Sequence, residues 1–351
     1  KNAAYGFNAM DAITTGDKNV AIGYEAGTAI TTGAENTLIG HSAGSSMTTG
    51  SSNVAVGNNA MLSGAVSGDD NIAIGELAGN NIIGGAENIA IGTKALFTEN
   101  NHGKNVAIGH QSLQTLRAGT DALNVAVGYE AGKAMTTGVQ NTIIGGLAGD
   151  ALTIGNNNVA LGHAALSASV DGDHNTAIGV YALEDYEDGD GNGFNTAIGS
   201  QSQAQATTGE FNTSLGALSM GAGVATGDGN VALGYKAGID LTSGSSNILI
   251  GFQAGDSINT GSNNIAIGTF ALDSEDAGGN NIAIGRHALG TLDAGTNAVN
   301  VAVGYEAGAL MTTGVQNTIM GGHAGDALTT GSYNVAVGYN ALGLEDAHGK
   351  N

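Results

Sequence analysis

Apolar residues return along this chain with a period near seventeen and fall in the same places each time. Asn marks the phase, at 21 positions from Asn2 to Asn351; the interval is 17 in fifteen cases and 18 to 20 in the other five. With Asn as position 1 of each coil, position 4 is apolar in all twenty complete coils, as in Ile22, Val56, Leu161 and Val337. Position 5 is always Gly, from Gly6 to Gly338, and position 8 is always Ala or Ser. The unit Asn-x-Ala-Ile-Gly alternates its side chains, which predicts a short strand with positions 2 and 4 on a buried face. Position 3, Ala in fifteen of twenty coils, is then expected on the other face, closely approached by another surface. The Gly at position 5 permits a bend that a Cβ would obstruct.

A second apolar segment at positions 8, 9 and 12 predicts a second short strand. It ends in a Thr-Thr-Gly turn, seen for example at 31–33, 136–138 and 312–314. Two strands and two turns per repeat make one turn of a flattened solenoid, so the expected class is all-β, a parallel β-roll of about twenty coils. Stacking the coils would align Asn19, Asn36 and Asn53 into a side-chain amide ladder beside Gly23, Gly40 and Gly57. Position 9 is Gly in nine coils and Leu or Met in every coil longer than the common length, namely at Met61, Leu113, Leu183, Met220 and Leu289. Those side chains are expected to anchor enlarged loops.

A longer period overlies the first. Residues 124–152 reappear almost unchanged at 300–328, an offset of 176 (300 minus 124), or ten coils. The chain therefore reads as one array over 1–351, built by duplication of a ten-coil block. It begins and ends in mid-repeat, as expected for a segment of something longer.

Composition narrows the function. Among 351 residues there are 61 Gly and no Pro, Cys or Trp, which excludes disulfides and thiolate metal sites and suits a thin core. The net charge of −22, from 31 acidic against 9 basic residues, repels phosphate backbones, so nucleic acid is not an expected partner. No apolar run is long enough to insert in a bilayer.

The unit Asn-x-Ala-Ile-Gly-x-x-Ala, as at residues 19–26 and 264–271, resembles the head repeat of trimeric autotransporter adhesins (the YadA-like head). Arrays of this kind with Thr-Thr-Gly turns also resemble bacteriophage tail-fibre repeats. The resemblance covers the whole chain. It implies a left-handed parallel β-roll, a homotrimer, and an extracellular place on a bacterial cell surface or a virion tail. The small residues at positions 3 and 8 add a physical argument for assembly, since packing chains together would cover them. The expected function is an adhesive fibre segment that attaches to a host or surface through multivalent contacts with a receptor or glycan. A self-assembling filament without a receptor is the alternative, with end-to-end stacking of the coils.

No catalytic constellation stands out, and an enzyme is not expected. The eight His residues do not cluster in sequence, and they read as exposed turn residues. In the longest insertion Asp188, Asp190 and Asn192, followed by Gly193, match the start of a Ca²⁺ loop, although position twelve of that loop is Gly199 rather than Glu. A solvated acidic loop is the plain alternative; no other cofactor is expected. Asp171, Asp173, Asp273, Glu275 and Asp276 lie in corresponding turns. Tyr24, Tyr129, Tyr235, Tyr305 and Tyr339 all occupy position 6, where they either form an exposed aromatic stripe for sugars or partner proteins or cover the roll edge.

Overall fold

A computed structural model of the chain describes residues 1–99, 101–187 and 193–344. All regular structure among them is β-strand. The chain divides into two compact units, Lys1–His174 and Asn175–Asn351, each carrying ten coils. The boundary falls where the eleventh coil begins.

Within each unit the fold is a parallel β-solenoid. Each coil contributes one strand of three residues, at positions 2 to 4, such as Val20–Ile22 and Thr37–Ile39. Successive strands pair in parallel and in register, Val20 with Thr37, Ala21 with Leu38 and Ile22 with Ile39. The second unit repeats this, for example Ile265 with Ile282 and Ile267 with Ile284. In-register pairing follows from the repeat itself: every coil offers the same donors and acceptors at the same height.

The strand faces are the reverse of the expected ones. Position 3 points into the coil: Ala21, Ala55, Ala73, Ala126, Ala266 and Ala302 are fully buried. Positions 2 and 4 point out, and Ile22 and Leu161 are 42% and 44% exposed. Position 8 is interior as well, with Ala26, Ala131 and Ala307 fully buried. The physical reason is width. A flattened coil brings its two walls so close that a methyl group fills the gap, so small size, not apolar bulk, marks the inside. Larger residues fill the wider end, where Ile30, Met47, Ile82 and Met135 at position 12 are fully buried.

Core volume is exchanged among positions 3, 9 and 12. A Cβ on Gly27 would meet Leu38 Cδ1 at 2.7 Å and Ile30 Cδ1 at 3.0 Å. In the coils where position 9 is Leu96, Leu166, Leu272 or Met220, position 12 is Glu99, Ser169, Glu275 or Gly223. In three of the five long coils both positions are large and fully buried, Leu113 with Leu116, Leu183 with Tyr186 and Leu289 with Leu292, while a large residue at position 9 also occurs in coils of the common length.

The second predicted strand is absent. Positions 7, 9 and 17 take left-handed backbone, as in Glu25 (φ 55°), Leu113 (φ 47°) and Lys18 (φ 58°), so the segment from 6 to 12 is a string of turns. Its amides still bond along the stack: Glu25 N donates back to Phe7 O at 2.8 Å, and Gly27 N donates forward to Ala43 O at 2.9 Å. Left-handed Glu, Lys and Leu leave little trace in composition, so the apolar spacing there mimics a strand. Position 5 is constrained twice over. Gly23 has φ 140°, and a Cβ on it would collide with the Gly40 carbonyl of the next coil.

Candidate functional surfaces

The asparagines form the spine of each unit. Asn36 N donates to Asn19 Oδ1 at 2.9 Å, and Asn36 Nδ2 reaches the same oxygen at 3.0 Å. The same Nδ2 also donates to Gly50 O at 2.8 Å, closing its own coil. Each amide thus ties one coil shut and to its neighbour, all of it out of water. Asn53 N continues the ladder onto Asn36 Oδ1 at 2.9 Å. Thr residues at position 13 add a parallel line, Thr31 Oγ1 donating to Thr48 O at 3.1 Å.

Two surface features lie outside this scaffold. The first is a pair of aliphatic columns made by positions 2 and 4. Ile22, Ile39, Ile74, Ile144 and Leu161 in the first unit, and Leu215, Leu233, Ile248 and Met320 in the second, are more than a third exposed.

The second is an aromatic edge at positions 6 and 7. In the first unit Phe7, Tyr24 and His41 stack with ring centroids 5.3 and 5.1 Å apart, and His110 stacks on Tyr129 at 5.3 Å. In the second unit the line runs Tyr235, Phe252, Phe270, His287 at 5.5, 5.5 and 4.9 Å. It continues as Tyr305, His323 and Tyr339, with Arg286 donating to Tyr305 Oη at 3.1 Å. All five tyrosines singled out from the sequence are exposed. Phe7, His41, His110 and Phe252 share position 6 with the tyrosines, while Phe270, His287 and His323 sit at position 7, so a reading confined to Tyr at position 6 misses both groups.

Three of these tyrosines precede a Glu in the same Tyr-Glu-Ala-Gly unit. The Glu25 charge raises the Tyr24 phenol above its ordinary value, and hydrogen bonds accepted by Glu130 and Glu306 raise Tyr129 and Tyr305. Glu130 is itself held low by hydrogen bonds from Lys133 and Tyr129. These phenols stay protonated and can donate.

Asp188, Asp190 and Asn192 lie outside the described residues. Among the described residues no group of three or more His, Asp or Glu is arranged to hold a metal ion. Asp173 is committed to the protein, its Oδ1 accepting from Asn156 N and from Asn156 Nδ2. Glu275 is fully buried; its Oε1 accepts from Gly278 N at 2.7 Å and its Oε2 from Ala294 N at 3.4 Å, in the enlarged loop of the next coil. Burial raises its carboxyl above the ordinary value. Glu99, its counterpart one block earlier, is equally buried and accepts from His102 N and Ala118 N. This pair pins loops and offers no open site. No helix among the described residues is long and apolar enough to cross a membrane.

No protein-family model and no curated relative matches the chain.

Proposed function

We propose that the chain is a segment of an extracellular structural and adhesive fibre, a homotrimer that attaches to a host or surface through many repeated shallow contacts. The observation that carries this reading is the pair of aliphatic columns at positions 2 and 4. The partly exposed Val, Ile and Leu side chains at positions 2 and 4 make a continuous apolar surface over ten coils, unlike the singly scattered exposed apolar residues of a lone soluble domain. Covering it with a second and third copy gives an interface in the range of specific assemblies. The assembly face is thus the aliphatic one. The Ala residues at positions 3 and 8, which the sequence offers as the contact surface, are inside each coil and cannot make it.

The aromatic edge supplies the contact surface for attachment. Exposed stacked rings with protonated phenols at a regular step suit the apolar faces and hydroxyls of a glycan or a protein receptor. A filament without a receptor uses the same aliphatic columns and leaves the aromatic edge idle.

The test is a triple variant, Ile22→Asp, Ile74→Asp and Leu161→Asp, studied by light scattering and circular dichroism. The expected result is a folded monomer beside a trimeric wild type. A wild type already monomeric, or a variant that remains trimeric, refutes the assembly. Loss of glycan or cell-surface binding in Tyr24→Ala with Tyr305→Ala supports attachment; a wild type that binds no such surface favours the filament.

A further inference from the structure

The two units are copies of one block, and their differences act as an internal comparison. The sharpest difference runs down position 17, the residue just before each Asn. Along a typical coil position 17 is exposed, the Asn and position 3 are buried, and positions 2 and 4 are at least partly exposed, so position 17 borders the two aliphatic columns. In the first unit this column begins Lys18, Glu35, Ser52, Asp70, Glu87 and Lys104, and Lys18 Nζ pairs with Glu35 Oε1 at 2.7 Å. At the offset of 176 the second unit has Phe194 for Lys18, Phe211 for Glu35, Asn263 for Glu87 and Asn280 for Lys104. From Phe194 to Tyr333 no member of the column is charged, and positions 2 and 4 carry no charge in either unit.

The two phenylalanines are 45% and 56% exposed, and their rings stack with centroids 5.5 Å apart and planes 7° from parallel. Their backbones are left-handed, φ 49° and 58°, like those of Lys18 and Glu35. That conformation favours Gly and Asn, which the same column supplies at Gly229, Asn263 and Asn280, so large rings do nothing for the backbone. The coil does not need them for packing either, since the matching place in the first unit holds an exposed ion pair.

Charge and period together select the partner. Each copy of the chain carries a net charge of −22, so copies repel wherever their acids face one another. In an in-register assembly Glu35, Asp70 and Glu87 of the first unit would each approach their own kind, whereas the second unit sets no acid in this column. The nearest acids there, Glu210 and Asp228, stand one residue earlier, and Asp228 Oδ1 is turned back to accept from Glu210 N at 2.9 Å. A partner lying along many coils must repeat at the strand step, about 4.8 Å, and a second copy has that period by construction. Exposed aromatic residues beside an apolar strip are the usual anchors of such contacts.

We propose that in the second unit the position 17 column joins the interface between copies of the chain, with Phe194 and Phe211 as its anchors, whereas in the first unit the interface stops at the aliphatic columns. This rests on the assembly proposed above, in which the aliphatic columns of both units take part.

The test is light scattering of the full chain over a dilution series. Phe194→Lys with Phe211→Glu installs the pair found at Lys18 and Glu35, and with that precedent it keeps the wild-type circular dichroism melt. It dissociates at a total concentration at least about tenfold above wild type. Asn263→Glu with Asn280→Lys leaves both rings in place, restores the charges of Glu87 and Lys104, and shifts dissociation in the same direction. Lys18→Ser with Glu35→Ser, the control in the first unit, moves it by less than about twofold. A wild type that is monomeric throughout overturns the assembly and this inference with it. A wild type that assembles, beside a folded ring variant no easier to dissociate, overturns this inference alone. If the ring variant loses its melt, the Asn263 and Asn280 variant decides, and an unchanged dissociation there overturns the inference.

Discussion

Removing one amide from the asparagine ladder tests the scaffold most directly. Asn141 Oδ1 accepts from Asn158 N at 2.9 Å and from Asn158 Nδ2 at 3.2 Å. Its Nδ2 donates to Gly155 O at 2.8 Å and to Asn124 Oδ1 at 3.2 Å. In Asn141→Ala two buried backbone groups, the Asn158 N–H and the Gly155 C=O, lose their partners. Each orphan costs about 1–3 kcal/mol, so the coil is destabilised by about 4 kcal/mol, before any adjustment for water entering the gap. Asn141→Asp is expected to be worse, because a carboxylate oxygen would then face Gly155 O and Asn124 Oδ1. A stacked repeat does not unfold as a single unit, so a whole-chain melt would dilute the effect. Amide hydrogen exchange reads it locally. A loss of about 4 kcal/mol corresponds to roughly a thousandfold fall in protection at the Asn158 amide. Thr137→Ala, at an exposed turn position, is the control and should stay within about 0.5 kcal/mol. A fall of less than about fivefold in Asn141→Ala, roughly 1 kcal/mol, would refute the ladder as the main tie between coils.

Three further outcomes follow from the fold. Ala131→Arg, at a fully buried position inside the coil, should unfold its coil rather than dissociate an assembly, so protease cleavage near residue 131 with an unchanged oligomer mass is expected; a folded monomer would contradict the assigned interior. Glu275 holds its proton more tightly in the folded chain than in the unfolded one, because burial raises its carboxyl. Its contribution to stability is therefore largest below the ordinary glutamate value, roughly pH 4.3, and declines as pH rises through the raised folded value. Glu275→Gln should abolish that decline in exchange protection around Gly278, and a variant with the wild-type pH profile would assign the decline to another group. Gln203 and Ser214 break the apolar core of the second unit, with Gln203 Nε2 donating to Ser214 Oγ at 2.8 Å while the buried Gln203 Oε1 has no partner among the described residues. Gln203→Leu with Ser214→Ala, the residue types common at these positions, should stabilise by about 1–2 kcal/mol in thermal unfolding, and a loss of similar size would show that the polar seam is needed.

Periodicity carries most of the fold. A strict interval with Asn, an apolar residue and Gly at fixed offsets admits one arrangement, in-register parallel stacking, and the paired strands have that register. Alternation identifies two strand faces but does not say which is inside, because hydrophobic bulk usually decides that and here it misleads. Val20 and Ile22 are β-branched because they stand on a pleated outer surface, while Ala21 is small because the opposite wall is close. The discriminating signal is the strict Ala or Ser at position 8, which a roomy core would not demand. The left-handed residues at positions 7, 9 and 17 are harder to read. Only position 9 shows them in composition, through its nine glycines. The aromatic edge is half visible, since it mixes Tyr, Phe and His and shifts from position 6 to position 7 at Phe270 and His287, so the tyrosines alone outline only part of it.

The division between constrained and variable positions explains how such a scaffold can carry sites without losing stability. Positions 1, 3, 5, 8 and 15 supply the ladder, the thin core and the close glycine contacts, and a change at any of them is felt by two neighbouring coils. Positions 6, 7, 10 and 11 vary from coil to coil, and rings at 6 and 7 stack on one another along the edge. The duplicated blocks show this freedom in use. Ile143 and Ile319, Ala131 and Ala307, and Asn141 and Asn317 are the same residues in the same roles. Lys133 and Ala309, Phe97 and Asp273, and Gln114 and Gly290 have diverged on the rim. Between the close walls where positions 3 and 8 are Ala there is little room for a cavity, whereas space opens where rim side chains from successive coils shrink together, as beside Asp273 and Ala309.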